Sequence, residues 1–112
     1  MRIIHVASGR EWRGGQNQVW LLARTLQERG QGAPGGPGTR PDQVVVTGAG
    51  TELERRLRAS GVPVRAATWR SGADPRALWA TIDAARRGPC LLHAHDGHAV
   101  TLAGLAAILC RR

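Results

Sequence analysis

The fold is decided by two stretches, IIHVASGREWRGGQ at residues 3–16 and CLLHAHDGHA at residues 90–99. Each begins as an apolar run typical of a buried strand and continues into a polar segment that contains glycine and precedes a helical pattern. Open α/β sheets are built from such strand, loop and helix units, and they bind ligands at the carboxyl ends of their strands. The sequence therefore predicts that both polar segments lie at the ligand-binding edge of a sheet.

The residues between these stretches repeat the same unit. Apolar residues at helical spacing after the first loop predict a helix that stops near Gly30, and the Gly- and Pro-rich stretch at 31–42 predicts a mobile surface loop. The β-branched run at 44–47 predicts a second strand. Thr51 and Glu54 have the spacing of a capping box, which starts the second helix. The first half of the chain is thus expected to form two strand and helix units.

The second half continues the alternation. A third strand is expected at 62–68, and Asp74 followed by Pro75 has the cap and first-turn proline of a third helix. A fourth strand at 91–93 leads into an unusually apolar helix at 99–110, which we expect more chain or a partner to cover. Strict alternation with short connections predicts a Rossmann-like α/β domain, with a parallel sheet of about four strands and helices on both faces.

The composition narrows the classes of function. The chain has 112 residues, enough for one modest domain, and a formal net charge of +8. All its basic residues are arginines, but they are scattered, and Tyr and Phe are absent, so nucleic-acid binding is disfavoured and a phosphorylated substrate is compatible. No apolar run is long enough for a signal peptide or a membrane span. We therefore expect a cytoplasmic protein, with a charge that suits contact at the inner face of the cell membrane.

Cysteines and tryptophans are expected to be structural. Cys90 and Cys110 have neither the spacing of metal ligands nor the number needed for a disulfide framework, so we expect both to be free and buried. Trp20, Trp69 and Trp79 occupy apolar positions of predicted elements, and we expect them to pack in the core.

The residues of the first loop disfavour a dinucleotide site and exclude the phosphate loop of an ATPase. They do not match the Gly-x-Gly-x-x-Gly spacing of dinucleotide-binding loops, and a phosphate loop needs Lys and Ser or Thr where this chain has Gly15 and Gln16. Gly14 and Gly15 can still let backbone amides at a helix N-terminus approach an anion. The alternative is a tight turn that needs positive φ at glycine. Glu11 and Trp12 could contact a sugar or anchor the loop.

The HAHDGH segment concentrates polar side chains at the second strand end. We expect His93 and His95 to point to opposite faces of the sheet, so that the histidines of this segment form no single metal cluster. His5 and His93 are expected to be structural. His95, Asp96 and His98 form a dense polar group, for which a metal site and a ligand-binding role are the functional alternatives.

The order of these pieces resembles the N-terminal Rossmann-like domain of GT-B glycosyltransferases, specifically family 4. The pieces are the first strand, the Gly-Gly loop, a long helix, a capped second helix, SGVPV at 60–64, DPRAL at 74–78 and HAHDGHA at 93–99. The resemblance covers nearly the whole chain. It implies that residues 1–112 are a truncated acceptor-side domain of a retaining enzyme, of the kind used in bacterial cell-envelope polysaccharide synthesis. Such an enzyme moves a sugar from a nucleotide-sugar donor to a glycan or lipid-linked acceptor, with no required metal or other cofactor.

The resemblance also implies roles for single residues. Gly14 and Gly15 would approach the donor diphosphate. His98, with Asp96 beside it, would line the sugar pocket as the catalytic group. Contacts to the acceptor or to the sugar would come from Glu11, Trp12, Arg13 and His95.

The chain also departs from the family pattern. The family's N-terminal domain continues with further strands and helices, and a donor-binding domain follows it, so we expect this chain alone to transfer no sugar. The insert at 31–42 is longer than the family's usual turn at that place. Two alternatives stay open. One is part of a non-hydrolysing nucleotide-sugar epimerase, and the other is a non-catalytic α/β interaction subunit whose apolar last helix docks a partner subunit.

Overall fold

The computed structural model describes residues 2–9, 14–32, 42–70, 72 and 74–110. Strands and helices alternate along these residues, and all strand pairs are parallel. In chain order the elements are β1 (Arg2–Ala7), α1 (Gly14–Gly32), β2 (Gln43–Gly48), α2 (Glu52–Ala59), β3 (Val64–Ala67), α3 (Pro75–Ala85), β4 (Cys90–Ala94) and α4 (Gly97–Leu109). The predicted Rossmann-like α/β architecture is confirmed.

Helices cover both faces of the sheet. Side chains alternate along a strand, so neighbouring residues of β1 and β2 enter different cores. Ile4 packs in the core that includes Leu102 of α4, whereas Val45 packs in the core that includes Leu53 and Leu57 of α2. Every residue of β2 is buried, as expected for a strand covered on both faces.

The direction of winding reverses between β1 and β4. The strand order is β3-β2-β1-β4. Strands β2 and β3 are added on one side of β1, and β4 is added on its other side. In register, Ile3 of β1 lies between Gln43 of β2 and Leu91 of β4. Such a reversal opens a crevice at the carboxyl edge, because the connections after the two neighbouring strands leave on opposite faces. The two polar segments of the sequence follow these two strands, so the fold brings them to one crevice.

Local signals start two of the helices as predicted. Thr51 caps α2 by accepting a hydrogen bond from the Glu54 N–H at 3.2 Å, and the Glu54 carboxylate accepts one from the Gly50 N–H at 2.7 Å. Asp74 caps α3, whose first residue is Pro75. These caps satisfy backbone N–H groups that the helices leave free.

Several element boundaries differ from the expectation. Helix α1 continues beyond Gly30 to Gly32, and residues 33–41 of the predicted loop lie outside the described residues. Strand β3 is shorter than predicted and starts after Pro63, which has no N–H to donate. Strand β4 is longer than predicted, and α4 starts at Gly97.

Two predictions of burial are wrong. Trp79 is 60% exposed, because the buried stripe of α3 runs through Ala77, Ala80 and Ala84 and leaves the indole on the outer face. Cys90 and Cys110 are free, as expected, but both are only partly buried. Of the other tryptophans, Trp69 is buried and Trp20 is partly buried.

Helix α4 is apolar on more than its buried face, as predicted. Its core side includes Leu102 and Ala106, which are fully buried. Its exposed large apolar side chains are Val100, Leu105, Ile108 and Leu109. None of the helices that the structure describes is long and apolar enough to cross a membrane.

Candidate functional site

The loop after β1 begins with a tight turn at glycine. Gly9 has φ of 68°, and a Cβ at this position would lie 2.7 Å from Thr47 Oγ1 of β2. The positive-φ turn given as the alternative for Gly14 and Gly15 is not found there, because both residues are helical; the positive φ lies at Gly9. Gly14 and Gly15 are the first residues of α1. At a helix N-terminus, free backbone N–H groups and the helix dipole favour an anion.

Asp96 joins the two strand ends. Its Oδ2 accepts hydrogen bonds from the backbone N–H of Ser8 at 2.8 Å and from the Ser8 hydroxyl at 3.1 Å. Its Oδ1 accepts from the Ala99 N–H at 2.8 Å and so caps α4. An ionised carboxylate strengthens each of these bonds. Asp96 therefore holds the start of α4 against the loop after β1, and its expected catalytic role stays a prediction.

His98 lies in the first turn of α4, and its side chain is exposed. Its Nδ1 accepts a hydrogen bond from the Gly72 N–H at 3.1 Å. The Gly72 carbonyl in turn accepts from Trp69 Nε1 at 2.8 Å. A ring whose Nδ1 accepts carries its proton on Nε2. His98 thus has an Nε2–H group with which to donate to a ligand.

Three histidines lie together on one face of the sheet. His5 of β1 is in register with His93 of β4, and His95 follows at the end of β4. Ring centroids are 4.1 Å apart for His93 and His95 and 5.3 Å apart for His5 and His95. The prediction that His93 and His95 point to opposite faces is wrong, because side chains alternate along a strand with a period of two.

A chain of hydrogen bonds assigns the protons in this cluster. Gln43 Nε2 donates to the Ala23 carbonyl at 2.7 Å, so the Gln43 amide presents its Oε1 to His5 Nε2, at 3.0 Å. His5 Nε2 must therefore carry the proton, which leaves a lone pair on His5 Nδ1. His5 Nδ1 therefore accepts a hydrogen bond from the Nε2–H of His95, with 3.1 Å between the two nitrogens.

Burial keeps the inner histidines neutral. Desolvation, with smaller contributions from the neighbouring His93 and His5, lowers the pKa of His95 to about 4. Desolvation also lowers the pKa of the buried His5, although the hydrogen bond to Gln43 opposes the shift. Neutral rings at pH 7 can offer lone pairs to an electrophile.

The structure describes only some of the residues expected in the site. Gly14 and Gly15 follow β1, and His95, Asp96 and His98 follow β4, at the same edge of the sheet. The remaining three, Glu11, Trp12 and Arg13, lie outside the described residues, so their roles stay predictions.

Sequence reasoning missed the partners of these residues. Gln43 was visible only as a polar residue in front of a β-branched run, and its contact with His5 depends on strand register. Gly72 is far from His98 in sequence, and no motif in the neighbouring sequence indicates that it is a hydrogen-bond partner of His98.

A separate groove of about 530 Å³ lies at the amino end of β4. Its lining contains none of the residues assigned to the site. Ligands of open α/β sheets bind at the carboxyl ends of the strands, so this groove is not the candidate site.

The fold is similar to that of a known nucleotide-bound structure. The crystal structure of HepE (Alr3699) from Anabaena in complex with UDP matches 100% of this chain with a TM-score of 0.70 and 16% sequence identity. The chain spans 28% of the HepE chain. The likeness shows a Rossmann-like α/β fold. No protein-family model matches the sequence, and no curated protein matches it.

Proposed function

We propose that this chain forms part of the N-terminal, acceptor-side domain of a retaining family 4 glycosyltransferase. The enzyme would transfer a sugar from a nucleotide-sugar donor to a glycan or lipid-linked acceptor, in bacterial cell-envelope polysaccharide synthesis. The observation that carries the proposal is the reversal of winding direction between β1 and β4. It brings Gly14, Gly15 and the HAHDGH segment to one crevice. The fold likeness to HepE, solved with UDP, supports a nucleotide-linked donor.

Gly14 and Gly15 would bind the donor diphosphate. The first N–H groups of α1 have no partner within the helix, and glycine places no side chain between them and an approaching oxygen. The helix dipole adds about 0.3–1 kcal/mol for an exposed negative charge at this end. The arginine-rich surface, with its net charge of +8, would also attract the anionic donor.

His98 would contact the transferred sugar. Its Nδ1 already accepts the Gly72 N–H, so Nε2–H is the group that can donate to a sugar oxygen. Asp96 would act by position, because both of its carboxylate oxygens already accept hydrogen bonds that hold α4 in place. His95 would border the pocket as a neutral ring.

The other wall of the cleft would come from a donor-binding domain. Transfer depends on holding donor and acceptor in one geometry and on stabilising the charge that develops between them. One wall cannot supply both, so we expect no transfer by this chain alone. The reaction would need no metal. We place it in the cytoplasm, where the cationic surface would suit the inner face of the membrane.

The test uses an enzyme that contains this chain together with a donor-binding domain. Release of nucleoside diphosphate is measured with a panel of nucleotide sugars and acceptors. We expect Gly15→Val to abolish turnover with the fold intact, because the added side chain blocks the backbone from the diphosphate. Gly104→Val in α4 is the matched control, since a Cβ at Gly104 meets no atom within 4 Å. Equal turnover in the two variants would refute the phosphate role of the Gly-Gly pair.

A non-catalytic interaction subunit is the second candidate. The exposed apolar side chains of α4 favour it, because they offer a surface that a partner could bury. A transferase activity that appears only when this chain is mixed with a separate subunit would support this second candidate.

A further inference from the structure

The histidine cluster has the composition of a metal site. His5, His93 and His95 each offer one ring nitrogen, and the three ligand atoms lie within 4.8 Å of one another. His5 and His93 lie opposite each other on neighbouring strands, and His95 directly follows β4, where its N–H donates to the Val6 carbonyl, so the backbone holds their spacing. Three imidazoles with no carboxylate suit Zn²⁺, Cu²⁺ or Ni²⁺ better than Mg²⁺ or Ca²⁺.

The two inner nitrogens are already close to the spacing that zinc requires. His5 Nδ1 and His95 Nε2 are 3.1 Å apart. Two nitrogens bound to tetrahedral Zn²⁺ at about 2.0–2.1 Å each lie roughly 3.3 Å from one another. The two nitrogens therefore need little change in separation, but both rings must turn so that their lone pairs converge on the ion. His93 is exposed, so its ring can adjust to complete the site.

The outer contacts of His5 have the form found around metal-bound histidines. Such histidines almost always donate their second N–H to a fixed acceptor, which sets the tautomer and the orientation of the ring. His5 Nε2–H donates to Gln43 Oε1, and Gln43 is itself anchored to the Ala23 carbonyl and to Gln27 Oε1. The lone pair of His5 Nδ1 is thereby aimed into the cluster before any ion arrives.

We propose that His5, His93 and His95 bind one divalent transition metal ion, with Zn²⁺ as the favoured ion. In the metal-free chain His95 Nε2–H donates to His5 Nδ1. The ion would replace this hydrogen bond and lie to one side of the line between the two nitrogens, at about 2.0–2.1 Å from each. His95 would then carry its proton on Nδ1. Three protein ligands leave a fourth position open, and the exposure of His93 connects that position to solvent. This site does not depend on the proposed glycosyltransferase function, which requires no metal.

The experiment titrates Zn²⁺ into tag-free protein that has been stripped with a chelator, and it follows the heat of binding at neutral pH. Co²⁺ absorption serves as a second probe, because a nitrogen-ligated tetrahedral site gives visible bands. We expect one ion per chain. His93→Ala and His95→Ala should each lower the affinity by about 100-fold or more, because loss of an outer-shell partner alone typically costs 10–100-fold.

The matched control is His98→Ala, which removes a histidine outside the cluster. This variant should bind Zn²⁺ with the same affinity as the unmodified chain. His93 is exposed, so His93→Ala should keep the fold, which circular dichroism checks. The proposal is overturned if Zn²⁺ does not bind, or if it binds with the same affinity to His93→Ala and His95→Ala. No nucleotide is present in the titration, so its failure would not bear on the proposed function.

Discussion

Asp96 shows how one side chain can organise the edge of the sheet. In sequence, an aspartate between histidines looks like a catalytic group. In the structure its carboxylate accepts two hydrogen bonds from Ser8 and one from the N–H of Ala99, and so it fixes the loop after β1 to the first turn of α4. A residue with this set of partners supports the site by holding His98 in place.

Replacement of Asp96 should therefore reduce stability as well as any activity. We expect Asp96→Ala to lower the free energy of unfolding by about 2 kcal/mol or more, from a lost helix cap and lost hydrogen bonds to Ser8. Urea denaturation followed by circular dichroism measures this change. Asp96→Asn is the control, since an amide oxygen can still cap α4 and should recover part of the loss. If Asp96→Ala is as stable as the unmodified chain, the carboxylate has no structural role and a direct catalytic one becomes the better explanation.

The three histidines show why their clustering was missed from sequence. We predicted His93 and His95 on opposite faces, although residues at i and i+2 of a strand share a face. The position of His5 beside them depends on the pairing of β1 with β4, which no local pattern contains. The proximity of His93 and His95 could thus be predicted from the sequence, but their contact with His5 could not.

At the scale of elements, the starts of α2 and α3 could be predicted from the sequence, whereas the outer face of α3 could not. Thr51 and Asp74 act locally on the N–H groups that follow them, so their capping roles can be inferred from a few residues. Whether Trp79 is buried or exposed could not be inferred in the same way. Its exposure depends on which stripe of α3 meets the sheet, and that is decided by packing across the whole core.

The cap of α3 also gives this helix a dependence on pH. Hydrogen bonds from the Arg76 side chain and from the N–H groups of Arg70 and Arg76 lower the pKa of Asp74 from 3.8 to about 2. A carboxyl group whose pKa is lowered by folding adds stability above the unfolded value of 3.8, and this stability is lost as the pH falls through about 2.

Asp74→Asn isolates this effect, because asparagine caps a helix about as well as aspartate but carries no charge. We expect Asp74→Asn to have a lower melting temperature than the unmodified chain at neutral pH. The difference should shrink as the pH is lowered from about 4 to about 2. Melting temperatures across this range test the prediction. A difference that does not change with pH would show that the charge of Asp74 contributes nothing to the stability of α3.

At the scale of the whole molecule, the order of the strands makes the site. The alternation of strands and helices predicts a parallel sheet, and it predicts that both polar segments follow strands. It does not determine that β4 lies beside β1 and not at the far edge, beyond β3. The sequence therefore predicted the two halves of the candidate site, whereas their adjacency required the three-dimensional structure.

The most direct test of this site is an NMR titration of the isotope-labelled chain with UDP, with inorganic phosphate as the comparison. We expect saturable shifts in the backbone amides of the first turn of α1, at Gly14 and Gly15. Gly15→Val should remove these shifts, and Gly104→Val should leave them unchanged. Shifts scattered over the arginines, with none at the start of α1, would show attraction by net charge alone. They would contradict a donor-diphosphate site at Gly14 and Gly15.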